Sequence, residues 1–245
     1  MTLGPFFPDA PHIGSVSLQS LLTMRSGIAF EAGGLIGASG QKTEVTPSPF
    51  SPMAALHFAG LPAILGRLAA DGTVEHPFSY QNANTALLGA VLEQLYQRPL
   101  AELLDEKIWR PAGAGEAQWR QPGAGEPVSA YCCLYATARD FVRIGVFLSE
   151  NGTPGEPFLP EALWREFLGF DVPYEARAHG HYGNHVLQDV LDRPGEPLQG
   201  PFTYLFGQNG QTMYLMPERR LVVFRSGQHE QLLHSALYAA WRATE

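Results

Sequence analysis

Apolar residues recur along the chain with two different periods. Leu88, Val91, Leu92 and Leu95 repeat at helical spacing, as do Leu100, Leu103, Leu104 and Ile108, and then Phe141, Ile144 and Leu148. Each set gathers on one helix face. Thr137 with Asp140 three positions on has the form of a capping box and predicts the start of the third helix. Beyond residue 200 the period shortens. Segments 202–207, 211–216 and 221–226 are rich in Tyr, Phe, Val and Leu, and Pro217, Glu218, Arg219 and Arg220 join the last two as in an antiparallel hairpin. A closing helix follows, with the stripe Leu233, Ala236, Leu237, Ala240 and Trp241. Helices in the middle and an antiparallel meander at the end predict α+β architecture. The expectation is a single domain over residues 1–245, with mainly helices and loops in 15–200 and the last strands and closing helix in 201–245.

Composition narrows the class. The 245 residues are 45% hydrophobic and 16% charged, enough for one sizeable core or two packed subdomains. With 26 Gly and 20 Pro, long uninterrupted helices are excluded, and Pro-Gly clusters at 111–127 and 193–201 mark connections. No apolar run reaches the roughly 18 residues of a membrane span. A net charge of −8 without clustered Lys or Arg argues against a nucleic-acid partner. The opening MTLGPFFPDAPHIG has no basic segment followed by an apolar one, so it reads as an exposed Pro-rich lead-in rather than a signal peptide, and the compartment stays unassigned. Cys132 and Cys133 are adjacent, where disulfide geometry is rarely reached; the expectation is no disulfide framework and inert thiols.

Two clusters carry candidate chemistry. Phe78 to Thr85, reading FSYQNANT, lies just ahead of the Leu88 helix. Tyr80 and Asn82, two apart on an irregular turn, suit a phenol that relays a proton and an amide that holds a carbonyl or a cation. The structural alternative makes Asn82 or Asn84 a helix cap and Tyr80 a core filler. His179, His181 and His185, with Asp189, supply imidazoles enough for a metal site, but alternation along a strand explains His181 and His185 as well. No metal is assigned, and no cofactor.

Five segments in order carry a resemblance. Val16 to Gly27, reading VSLQSLLTMRSG, is followed by Tyr80-Gln81-Asn82 with Thr85 to Gly89, by Ile108-Trp109-Arg110-Pro111, by Leu134 to Asp140, and by Tyr204 to Val223 with its GQNGQTMYLMPERRLVV. Together they resemble the β-lactamase-related serine hydrolases, comprising class C β-lactamases, DD-peptidases and esterases and amidases of that fold. The resemblance covers about residue 15 to the end. It implies a β-lactamase/DD-peptidase-like antiparallel sheet packed with helices, plus a helical subdomain.

The reaction of that family needs a nucleophilic Ser at a helix start, a Lys one turn later, a Tyr that shuttles the proton and backbone N–H groups that hold the oxyanion. The resemblance assigns the shuttle to Tyr80 and its companion to Asn82. It places Gln208, Asn209 and Gly210 at the substrate-binding turn, with Gln211 giving an oxyanion N–H from the sheet edge. Gln208 stands where the family has a cation, which speaks against an anionic carboxylate there. Tyr80, Asn82, Asn209 and Gly210 are expected around one pocket, between the helical subdomain and the strand beginning near Gln211.

The nucleophile has no such counterpart. The chain contains two lysines, Lys42 and Lys107, and only Ser39-Gly40-Gln41-Lys42 fits Ser-x-x-Lys. It follows the LLTMRSG element instead of preceding it, lies among Gly33, Gly34, Gly37, Gly40 and prolines 47, 49 and 52, and stands too close to Tyr80. Ser39 and Lys42 therefore remain weak catalytic candidates, and the family's N-terminal strands and nucleophile helix are expected to be missing. The functional expectation is a serine ester or amide hydrolase by descent, inactive or incomplete as this chain; the alternative is a noncatalytic remnant that binds a small ligand or a protein. A small-molecule ester or amide is the expected ligand. An uncovered sheet edge is expected to pair with another copy or another chain.

Overall fold

The structure is a computed structural model and describes residues 1–29, 51–70, 76–191, 200–227, 229 and 234–244. The chain divides into two compact units, one formed by Met1–Leu103 with Gln118–Tyr135, the other by Leu104–Ala117 with Ala136–Glu245. The units interleave in sequence, and the sheet of the second begins at His181.

The first unit is built on short helices. These are α1 (Leu18–Leu22), α2 (Pro52–Ala59), α3 (Pro62–Leu65), α4 (Asn82–Tyr96) and α5 (Leu100–Leu104), with two small antiparallel pairs, β1 (Ile28–Ala29) with β2 (Ala69–Ala70) and β3 (Gln118–Trp119) with β4 (Leu134–Tyr135). Ser17 and Ser51 cap α1 and α2 by accepting hydrogen bonds from Ser20 N and Ala54 N.

The Pro-rich opening is not an exposed lead-in. Leu3, Phe7, Ala10 and Ile13 are buried in the same core as Leu21, Leu56, Leu87 and Val91. Prolines break this segment into tight turns, and the apolar residues between them still return to one side. The stripe on α4 also departs from expectation. Ala83, Ala86, Leu87 and Val91 are the buried face, while Leu92 and Leu95 are 41% and 51% exposed. The spacing fits both faces, and the small residues at 83 and 86 allow the close approach that decides between them.

The cysteines are a second correction. Cys132 and Cys133 form a disulfide between neighbours, with Cys133 in the left-handed backbone region at φ +69°. That conformation turns two side chains, which otherwise alternate, toward each other.

The second unit is a five-stranded antiparallel sheet in the order β11-β10-β9-β8-β7, comprising β7 (His181–Gly183), β8 (Val186–Leu191), β9 (Gly200–Gly207), β10 (Gln211–Met216) and β11 (Leu221–Arg225). It is preceded by α6 (Ala138–Ser149), the small hairpin β5 (Gly152–Thr153) with β6 (Glu156–Pro157), α7 (Glu161–Leu168) and α8 (Tyr174–Ala178), and followed by α9 (Ser235–Arg242). Strand alternation sorts β10 cleanly. Tyr214 and Met216 pack with Phe202 and Leu191 against Leu237, Tyr238 and Trp241 of α9. Met213 and Leu215 face α6 at Gly145, where an added Cβ would lie 2.5 Å from Val222 Cγ1. The sheet is thus covered on both faces, and each large apolar side chain enclosed there contributes about 1.5–3 kcal/mol.

The predicted capping box is present at α6. Thr137 accepts a hydrogen bond from Asp140 N at 3.2 Å, and its hydroxyl donates to the Asp140 carboxylate. That carboxylate also accepts from Gly115 N at 2.9 Å and from Arg143 at 3.1 Å. The Thr137 hydroxyl above all, then the Gly115 N–H, and to a lesser degree Arg143, hold its pKa below the ordinary value against the opposing effect of burial. A depressed folded pKa means that the ionised carboxylate stabilises the fold fully above the unfolded value near about 4 and loses this as pH falls through the folded value. Asp140→Asn is therefore expected to lower the urea midpoint at neutral pH, with the difference from wild type shrinking steadily as the titrations are repeated toward about pH 2.

Candidate functional site

The LLTMRSG segment and the start of α4 are joined by buried polar contacts. After α1 the chain turns at Met24, fully buried with φ +55°. Ser26 Oγ donates to Asn84 Oδ1 at 2.9 Å and accepts from Ile28 N at 3.2 Å. Asn84 Nδ2 donates to Met24 Sδ at 3.2 Å, and Ser79 N to Met24 O at 2.9 Å. Gly27 follows at φ +65°, where a Cβ would lie 2.2 Å from the His76 ring; only glycine fits that backbone and that space. Asn84 itself is completely enclosed.

This arrangement corrects one part of the structural reading of the FSYQNANT turn, the helix cap. Neither asparagine caps α4. Gln81 is the capping residue, in extended conformation and without a side-chain cap, and its amide donates to Ser79 Oγ at 3.1 Å. Asn84 is a structural pin. Asn82 is 8% exposed, and its amide donates to Met53 Sδ of α2 at 3.5 Å. Tyr80 is half-buried.

In the second unit, residues 208–210 make the tight turn that joins β9 to β10. Gln208 and Asn209 are exposed, and Asn209 takes the left-handed conformation at φ 62°. Gly210 is buried at φ +81°, and a Cβ there would lie 2.4 Å from His229 O. Gln211 opens β10 opposite Gly207 of β9. Its amide donates to Gly227 O at 2.5 Å and accepts from Gly227 N at 3.3 Å. Because β11 lies outside β10, Gln211 does not sit on an outermost strand.

Arg225, at the end of β11, donates to Gly210 O at 2.6 Å. It brings to this turn the cation that Gln208 does not supply, and no motif pointed to it; the only sequence signal was a lone Arg closing an apolar strand. Burial pushes the nearby Tyr214 phenol up to about 12 and Tyr204 higher still, so both remain protonated hydrogen-bonding groups at neutral pH.

Tyr80 and Asn82 belong to the first unit and Gln208, Asn209, Gly210 and Gln211 to the second. Ser39 and Lys42 lie outside the described residues. The histidine cluster is divided among separate partners: His179 Nδ1 lies 2.6 Å from Glu175 O, His181 Nδ1 lies 2.7 Å from Gln188 Oε1, and Asp189 faces His234 at 3.4 Å. Among the described residues no three His, Cys, Asp or Glu side chains are grouped to hold a metal ion.

Removing one partner from an enclosed amide leaves the other unsatisfied, at a cost of about 1–3 kcal/mol. Asn84→Ala would remove the pin and strand the Ser26 hydroxyl. It is expected to lower unfolding free energy by that amount in chemical denaturation, and Asn82→Ala by distinctly less.

The beta-lactamase family model matches residues 5–243. Among solved structures, the chain is 22% identical, with a TM-score of 0.73, to a Bacillus anthracis protein described as a candidate 6-aminohexanoate-dimer hydrolase; all of this chain is covered, and 65% of that one. EstCE1, a hydrolase with promiscuous acyltransferase activity, is 18% identical with a TM-score of 0.64, over 98% of this chain and 75% of its own. A penicillin binding protein from Bacillus halodurans is 18% identical with a TM-score of 0.60, over 100% and 78%. Among curated proteins no sequence matches.

Proposed function

The chain belongs to the beta-lactamase family, and from that premise we propose that it binds a small ester or amide ligand through Tyr80 and Asn82, with little or no acyl-serine chemistry of its own. The observation that carries this reading is the division of labour between the two asparagines. Asn84 holds the α4 start with a buried hydrogen bond to Ser26, and Asn82 does not cap that helix. The Asn82 amide and the Tyr80 phenol are side chains of the kind suited to a carbonyl and a proton.

Hydrolysis in this family is the nearest precedent for such a ligand, and it depends on an activated Ser. The sequence contains one Ser-x-x-Lys, at Ser39 and Lys42, in a Gly- and Pro-rich stretch poorly suited to a nucleophile helix. A phenol without a Ser-Lys pair has no nucleophile to activate. The competing reading, an active hydrolase with Ser39 as nucleophile and Lys42 as base, differs at one covalent bond.

Incubation of the 245-residue chain with a fluorophosphonate, followed by peptide mass spectrometry, separates the two. The expected outcome is no labelled serine, and turnover of an activated ester or a chromogenic β-lactam no faster than that of Tyr80→Phe. Labelling at Ser39, with turnover lost in Lys42→Ala, would replace the binding proposal by the hydrolase.

A further inference from the structure

The Cys132–Cys133 disulfide lies in a loop that the rest of the first unit grips at several points. Cys132 N donates to Ser129 O at 3.0 Å, closing a turn, and Arg120 N donates to Cys133 O at 3.1 Å. The Trp119 indole donates to both Ser129 O and Cys132 O, at 3.0 and 2.9 Å. Within the same turn the Ser129 hydroxyl is buried and, among the described residues, has no hydrogen-bond partner. Cys133 holds a left-handed backbone, which a residue with a side chain adopts reluctantly. A bond between adjacent cysteines closes the smallest ring two cysteines can form, and that ring holds the backbone there. Opening it removes the constraint and lets the turn relax toward one that satisfies Ser129.

The turn is tied to a helix through Tyr131 and Arg120. Tyr131 Oη lies 3.2 Å from His57 Nδ1 on α2, and Arg120 Nη1 lies 3.2 Å from the same nitrogen and donates to His57 O at 2.6 Å. A guanidinium can only donate, so Nδ1 is the acceptor and the ring proton sits on Nε2. Burial first, and then the Arg120 charge, lower the His57 pKa, in keeping with a neutral ring. One turn before His57 on α2, Met53 accepts the hydrogen bond of Asn82.

We infer that the Cys132–Cys133 bond is a thiol-exchange site whose opening is transmitted through Tyr131 and His57 to α2, and so to the surroundings of Asn82. Both cysteines are half-buried and within reach of a small thiol or dithiol. In the exchange a thiolate attacks one sulfur and breaks the S–S bond to give a mixed disulfide. A second thiol then releases it, so that two donor thiols are oxidised to one disulfide while Cys132 and Cys133 each gain a proton and together gain two electrons. The consequence for Asn82 rests on the ligand-binding reading above; the exchange and its effect on His57 do not.

The test uses the full chain purified in air. Iodoacetamide is expected to leave both cysteines unmodified, and to modify both after dithiothreitol, as read by peptide mass. The His57 ring resonance, assigned by its loss in His57→Gln, should shift on reduction in wild type. In Tyr131→Phe the cysteines should still exchange, but that shift should be diminished, with only the Arg120 link to His57 remaining. A Cys132→Ser, Cys133→Ser double variant should match the reduced wild-type spectrum and ignore dithiothreitol. Alkylation without reductant, a His57 resonance unmoved by reduction, or an undiminished shift in Tyr131→Phe would overturn the inference. Because none of these readouts involves a ligand, a failure of the ligand-binding proposal leaves them unaffected.

Discussion

A hydrogen bond between Ser26 and Asn84, out of reach of water, is the constraint on which the candidate site depends. An amide buried without partners costs several kcal/mol in an apolar medium, so the fold either satisfies Asn84 or loses the start of α4. The partners come from one short segment, Met24 to Ile28, whose left-handed turn and glycine deliver a hydroxyl and a thioether to the amide. With that segment fixed, Ser79 is held through Met24 O, and Tyr80 and Gln81 lead into α4, which Gln81 opens in extended conformation without a side-chain cap. Tyr80 and Asn82 are positioned by the pin without belonging to it.

The second unit reaches its order by a different route. Its sheet is covered on both faces, by α6 at Gly145 and by the aromatic cluster around Tyr214 under α9. The 208–210 turn inherits its geometry from that sheet. A left-handed Asn209, a buried Gly210 and the Arg225 guanidinium on the Gly210 carbonyl hold the backbone in one conformation, while the exposed side chains of Gln208 and Asn209 stay available. In each unit the candidate groups are supported by neighbours of that same unit.

The elements with strong periodicity were legible in the sequence. The helices at α4 and α6, the capping box of Thr137 and Asp140, and the strands β9, β10 and β11 all fall where pattern places them, because each depends on local spacing and turn chemistry. What pattern missed depends on contacts distant in sequence. Nothing local distinguishes Asn82 from Asn84; the difference lies in Ser26, 58 residues away. Nor does spacing tell whether Leu92 or Leu87 faces the core. The opening segment was read as exposed because prolines exclude a regular element, yet its turns still enclose Leu3 and Ile13. Cys132 and Cys133 were judged by the average behaviour of neighbouring cysteines, whereas a single left-handed residue changes which way the second one points. The family resemblance pointed to Tyr80, Asn82 and the 208–211 turn but was silent on Arg225, which holds the Gly210 carbonyl, and on His57, which meets Tyr131 and Arg120.

Amide hydrogen exchange at the start of α4 tests the central claim most directly. If the Ser26–Asn84 hydrogen bond holds the helix start, the amides of Asn84 to Leu87 should be strongly protected in the wild-type chain. Ser26→Ala should accelerate their exchange by about 5- to 150-fold, the range that corresponds to losing about 1–3 kcal/mol. Unchanged rates at these amides in Ser26→Ala would show that packing alone fixes the turn, and would contradict the account.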